Sequence, residues 1–261
     1  RKPSLMNQRR SGGPSLPSLE SLARAKLIEL AAKARPSRGD ETLPDILDYL
    51  PLLSPQYVRP SHLEPLAKVL RRIMAGEHVR IVVHTPPRHG KTETLLHFIV
   101  WALKQRPDWT FVYGTYAQEL AYAKSQLAMD LTIPAGIELK KKSVSEWRLA
   151  GHRGGMVSRG VGGGLTGRGY DVGVVDDPVK DRLQAESAVY RERTWSWFKD
   201  VFFTRGEPTG SVIVNMARWH PDDLAGRCIR DLGWEYLQLP AINDNDEPLW
   251  PSRWPLERLR E

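Results

Sequence analysis

The rhythm of hydrophobic positions changes at residue 79. Upstream, "LESLARAKLIELAAKA" (19–34) and "HLEPLAKVLRRIMAG" (62–76) space their apolar residues helically, with the breaker-rich "PSRGDETLP" (36–44) between them. Gly76 stands where a helix stop is expected. From Val79 onward, short apolar runs alternate with helical segments. "VRIVVH" (79–84), "TFVYGTY" (110–116), "DVGVVDD" (171–177), "SVIVNMA" (211–217) and "WEYLQLP" (234–240) read as strands. Between them, 91–105, 117–130, 185–203 and 221–230 read as helices. This alternation predicts an α/β fold with a mostly parallel sheet flanked by helices and an N-terminal helical segment. One stretch interrupts it: "SVSEWRLAG" (143–151) and "GGMVS" (154–158) alternate like a hairpin, and a glycine-dense loop follows.

Composition adds an asymmetry of charge. The 261 residues are 41% hydrophobic and 26% charged, ordinary values for a globular chain. Of the net +7, residues 1–40 supply +6, from nine Lys or Arg against three acids. Such an arm fits an anionic partner such as nucleic acid, or a solvated tail, and "SGGPSLPS" (11–18) reads as mobile loop. The one cysteine, Cys228, excludes an intrachain disulfide and a thiolate metal site, and it reads as a buried thiol. No run approaches the roughly 18 apolar residues needed to span a bilayer, and the start has no apolar signal core. A soluble intracellular protein is expected. The missing initiator Met and the ending in "PLERLRE" suggest a piece of something longer.

Candidate chemistry sits in "TPPRHGKTET" (85–94). A phosphate-binding loop needs backbone N–H groups curled round the phosphates, a helix starting there, a Lys for the terminal phosphates and a Ser or Thr for magnesium. Pro87, Arg88, His89, Gly90, Lys91 and Thr92 lie between the strand 79–84 and the helix 91–105, although Thr85 stands where such loops usually carry glycine. The complementary half is an apolar strand ending in acids, found in "DVGVVDDP". Asp176 is placed to hold magnesium and Asp177 to act as base or to position water, with a plain Asp-Pro turn as the alternative. Asp222 and Asp223, at a predicted helix start, are explained by capping.

Taken together, "PPRHGKTE", "GGGLTGRGYDVGVVDDPVKD" and "ARWHPDDLAGR" resemble the large terminase subunit of tailed bacteriophages, over about Tyr57 to Arg260. The resemblance implies a RecA-like (ASCE P-loop) ATPase motor using ATP and Mg2+ to drive double-stranded DNA into a procapsid. The family's loop commonly begins Pro-Pro-Arg without the leading glycine. Lys91 and Thr92 would take the phosphate and magnesium roles, Arg88 would act in cis on the γ-phosphate, and Asp176 would be the magnesium carboxylate. Asp177 falls where many members carry Glu. Arg168 would be the finger entering a neighbouring subunit's site, with Arg159 as its rival. In "ARWH", a coupling block, Ala217 replaces a frequent Thr, and Asn215 is the candidate substitute. "YVRPSHLEPL" resembles the segment closing over adenine, naming Tyr57, Arg59 and His62.

The implied partners are the portal protein, the small terminase subunit and further copies in a homo-oligomeric ring, a pentamer on the portal with a monomer in solution as the alternative, with no membrane, in the host cytoplasm and transiently at the procapsid portal but not in the mature virion. The implied division is a basic tail (1–18), a helical segment (19–56), the ATPase domain (57–240) and a linker (241–261) toward a C-terminal nuclease domain, so that this chain hydrolyses ATP without cutting DNA. Trp195, Trp197 and Phe198 read as core anchors, and Lys140 to Lys142 as a basic patch for DNA phosphates or solvent. The rivals are a helicase-like or recombinase-like ATPase and a DNA-binding scaffold with a degenerate nucleotide site.

Overall fold

The computed structural model describes residues 43–165 and 167–261. The expected tail and the helix at 19–34 lie outside these residues. In chain order the elements are α1 (Ile46–Leu53), α2 (Glu64–Met74), β1 (Arg80–His84), α3 (Lys91–Gln105), β2 (Thr110–Thr115), α4 (Gln118–Thr132), β3 (Leu139–Ser143), β4 (Glu146–Leu149) and β5 (Gly155–Gly160). There follow β6 (Tyr170–Asp176), α5 (Arg182–Glu186), α6 (Ala188–Ser196), β7 (Gly206–Asn215), α7 (Leu224–Leu232), β8 (Glu235–Gln238) and α8 (Leu256–Leu259).

The strands form one sheet of eight in the order β3-β4-β5-β2-β6-β7-β1-β8. From β5 to β8 every pairing is parallel, and at the other edge β4 runs against the rest, pairing antiparallel with both β3 and β5. The mostly parallel α/β sheet flanked by helices is therefore as expected. So is the hairpin, formed by β4 and β5, although β5 also joins the main sheet beside β2 and β3 adds an outer strand.

Because side chains alternate across a strand, each strand feeds two cores. Ile81, Val83, Phe111, Tyr113, Val174 and Ile213 face a layer made by α1 to α4. Val82, Val112, Val175, Val212 and Val214 face Phe198, Phe202, Leu224 and Cys228 on the other side. Burial on both faces explains why these strands read as continuous apolar runs. The buried thiol of Cys228 is as expected, and burial pushes its pKa up.

Two helical segments depart from expectation. Helix α1 lies inside the segment 19–56 expected to be helical, although its own residues were not read as a separate helix: it starts at Asp45, which caps it through Leu47 N–H at 3.2 Å and pairs with Arg71 at 2.6 Å. The single helix expected over 185–203 is instead α5, α6, a π-helical turn at Trp197–Phe202 and a short 3-10 turn. The wider turn brings Trp197 and Phe202 down together onto the sheet. Glycines make the room: a Cβ on Gly114 would come within 2.7 Å of the Trp197 ring, and one on Gly173 within 2.8 Å of Phe202. Trp197 and Phe198 are core anchors as expected. Phe198 is fully buried among Trp195, Phe202, Phe203 and Trp234, so Phe198→Ala is expected to destabilise the fold by about 3–5 kcal/mol. Urea unfolding of wild type and variant checks this, and a loss below 1 kcal/mol would contradict the packing.

Candidate nucleotide site

The candidate residues converge at the carboxyl ends of the central strands, where α/β sheets place ligands. β1 ends at His84, the loop runs from Thr85 to Gly90, and α3 begins at Lys91. Two loop residues take left-handed backbone, Arg88 at φ 62° and Gly90 at φ 84°. Only glycine adopts that conformation freely, which explains Gly90 directly before the helix. Alternating backbone of this kind turns successive N–H groups toward one side, and the positive end of the α3 dipole lies behind them.

β6 ends at Asp176, separated from β1 by β7. Loop and acids nevertheless meet. Lys91 Nζ donates to Asp177 Oδ1 at 2.9 Å, and Thr92 Oγ1 donates to Asp176 Oδ2 at 2.8 Å. Asp176 is buried and also accepts from the Tyr113 hydroxyl at 2.5 Å and from Asn215 Nδ2. Burial and then the charge of Asp177 raise its pKa, opposed by the donors around it. Tyr113 stays a neutral donor, because burial and then Asp176 push its pKa well up. Asp177 is different: its side chain is 41% exposed, and its backbone is held at φ 45° by Asp177 N–H to Asn215 O (2.8 Å) and Tyr116 N–H to Asp177 O (3.2 Å). A non-glycine residue in that region is uncommon and marks a position the surroundings over-determine.

These residues fit a magnesium ion. A buried carboxylate beside a second one is relieved by a cation, and the Thr92 hydroxyl already touches it. Magnesium takes one or two protein oxygens and keeps several waters. Among the described residues no group of three or more His, Cys, Asp or Glu that could hold a metal ion is gathered.

The other expected residues are more dispersed. Pro87 and Arg88 are exposed, and Arg88 has no ion pair among the described residues. His89 is buried, and its Nδ1 lies 2.9 Å from Pro87 O. His62 reaches the loop, with Nε2 at 2.8 Å from His89 O. Tyr57 instead packs edge-on against His97 at 6.0 Å, and Arg59 is exposed and paired with Asp48 at 2.5 Å. Arg159 is occupied by backbone carbonyls, with contacts to Ser158 O (2.7 Å), Ser145 O (2.8 Å) and Gly164 O (3.0 Å). Among the described residues Arg168 makes one ion pair, to Glu146 at 2.8 Å. Of the "ARWH" block, Trp219 is exposed, while the Trp219 and His220 N–H groups are held by Asp223.

Tyr113 was not singled out in the sequence, since an aromatic in a strand reads as core. Only the β2–β6 register, with Tyr113 opposite Val174, brings its hydroxyl to Asp176. Trp250 and Trp254, within the stretch expected to be a linker, also reach the site: Trp250 stacks on His62 at 4.2 Å and Trp254 on His89 at 6.0 Å.

At the far edge, buried Glu146 gathers Lys141, Arg148 and Arg168. Burial alone would raise its pKa, but hydrogen bonds from Lys141 and Arg148 and the charge of Arg168 hold it at about 2, below the ordinary 4.5. Its stabilising contribution is therefore fully present above pH 4.5 and is lost as pH falls toward 2. The stability gap between wild type and Glu146→Gln should shrink over that window in denaturant titrations, and a pH-independent gap would contradict the ion cluster. Lys140 and Lys142 stand exposed on the outer strand, which blunts it against pairing with another chain.

Comparison with known proteins points one way. The family described as terminase large subunit, T4likevirus-type, N-terminal, matches residues 82–258. Among solved structures, the crystal structure of the HK97 bacteriophage large terminase is similar at a TM-score of 0.56 and 12% identity, covering 83% of this chain and 47% of that one. The chain thus spans about half the length of that terminase. No curated protein matches. No helix among the described residues is long and apolar enough to cross a membrane.

Proposed function

The chain belongs to the terminase large-subunit family, and on that premise we propose that it is the ATP-hydrolysing motor portion of a machine that moves double-stranded DNA into a procapsid. One observation carries the reading: Lys91 and Thr92, adjacent on the loop, each bind one of two adjacent acids from a strand two places away in the sheet.

In this reading the loop N–H groups and the start of α3 hold the phosphates of ATP. Lys91 turns from Asp177 to the terminal phosphates, which offer it more negative charge. Asp177 is thereby released, and its exposed carboxylate orients a water molecule and accepts its proton as the water attacks the γ-phosphorus. Thr92 and Asp176 would hold Mg2+, which neutralises charge on the phosphates when bound. Tyr113 and Asn215 fix the Asp176 carboxylate in place. Arg88, exposed at the loop apex, is assigned to the γ-phosphate in cis. Arg168 is assigned to a neighbouring copy's site in a ring, because among the described residues it has a single ion pair to give up, whereas Arg159 would abandon three carbonyl contacts. The portal, the small subunit and the host cytoplasm follow from the family role.

Duplex DNA tests the motor reading against its rivals. Linear double-stranded DNA should raise the rate of ATP turnover. Stimulation by single-stranded DNA alone would favour a helicase-like enzyme, and no turnover under any condition would favour the scaffold.

A further inference from the structure

We propose that Trp250 and Trp254 are positioning residues for the phosphate loop, so that docking of residues 250–254 and occupation of the loop by a nucleotide's phosphates reinforce each other. The inference rests on the loop's being a nucleotide site.

The contact is a ladder of rings. Trp250 lies on His62 at 4.2 Å and 19°, Trp254 on His89 at 6.0 Å and 22°, and His62 meets His89 edge-on at 6.1 Å. Arginines cover the outer faces, Arg253 over Trp250 at 5.1 Å and Arg258 over Trp254 at 5.6 Å. Each histidine under a tryptophan grips one loop carbonyl. A carbonyl only accepts, so His62 Nε2–H donates to His89 O and His89 Nδ1–H donates to Pro87 O.

A trans peptide is planar, with its N–H pointing opposite its C=O. Holding the His89 carbonyl therefore aims the Gly90 N–H the other way, and holding the Pro87 carbonyl does the same for Arg88 N–H. Arg88 and Gly90 are the two left-handed residues of the loop. The tryptophans, by fixing the two imidazoles, thus fix the direction of the two N–H groups that a phosphate would meet.

The docking is also poised. With Nδ1 protonated, His89 Nε2 is an acceptor, and Trp254 Nε1–H is a donor. Both are buried and neither has a partner among the described residues. Leaving such groups unpaired is unfavourable, and a small shift of the loop that paired them would tighten the docking. Linkage then requires that what tightens the docking also tightens the phosphates, by the same factor.

The test combines Mg·ATP titration calorimetry with amide hydrogen exchange of residues 248–258, on wild type, Trp254→Ala, Trp254→Phe and His62→Ala. ATP should protect residues 248–258 in wild type. Trp254→Ala and His62→Ala should abolish that protection and weaken ATP binding by about fivefold or more, and Trp254→Phe, which keeps a stacked ring but lacks the indole N–H, should recover both only in part. A merely structural role would lower the melting temperature without making protection depend on ATP. Wild type that binds ATP without protecting 248–258, or alanine variants with wild-type affinity, overturn the inference alone. Wild type that binds no ATP overturns it together with the nucleotide-site reading.

Discussion

Asp177→Asn is expected to lower ATP turnover by about 10²–10⁴-fold, the usual contribution of a positioned general base, while leaving ATP affinity intact or slightly higher. The substitution separates chemistry from structure because asparagine also tolerates left-handed backbone, so the strand end at φ 45° is preserved. What disappears is the negative charge. Lys91 then loses its 2.9 Å partner, and phosphates no longer compete with a carboxylate for its ammonium. Phosphate release measured beside calorimetric affinity checks both halves. A variant that turns over at the wild-type rate would remove Asp177 from the reaction, and one that fails to bind ATP would make it a binding residue.

Lys91→Ala should act on binding and turnover together. Its ammonium is the one buried cation at the loop among the described residues, and in the proposed site removing it takes away the charge that would face the terminal phosphates in both ground and transition states. A loss of about 10²–10³-fold in turnover is expected, the scale for deleting one preorganised electrostatic contact, with a weaker affinity beside it. The fold should survive, since the carboxylate left behind on Asp177 is 41% exposed and can be solvated. Unchanged turnover by a Lys91→Ala protein with wild-type melting behaviour would sink the site as drawn.

How much of this could be read from the chain depended on whether the signal was local. The four strands β1, β2, β6 and β7 were legible because burial on both faces makes them unbroken apolar runs, and α3 and α4 because their length outlasts any strand. The position of the loop between β1 and α3, and of the Asp pair at the end of β6, was legible. Helix α1 was not, being eight residues long with Pro51 inside it and breakers before it. The π-helical turn was not either, because it depends on Gly114 and Gly173, distant in sequence, making room for Trp197 and Phe202. In the site, the pairing of Lys91 with Asp177 and of Thr92 with Asp176 crosses more than 80 positions and follows only from the sheet order. Tyr113 and Trp250 escaped for a related reason: a strand tyrosine and a tryptophan among prolines look like packing until the partner across the fold is known.

Lys91, Thr92, Asp176 and Asp177 are proposed to form a single magnesium-dependent ATP-hydrolysing site. Phosphate release from ATP by the wild-type protein, with magnesium present and with magnesium chelated, tests it most directly. Release that requires the metal is predicted. No release with magnesium, or equal release with and without it, would contradict a site built around Thr92 and Asp176.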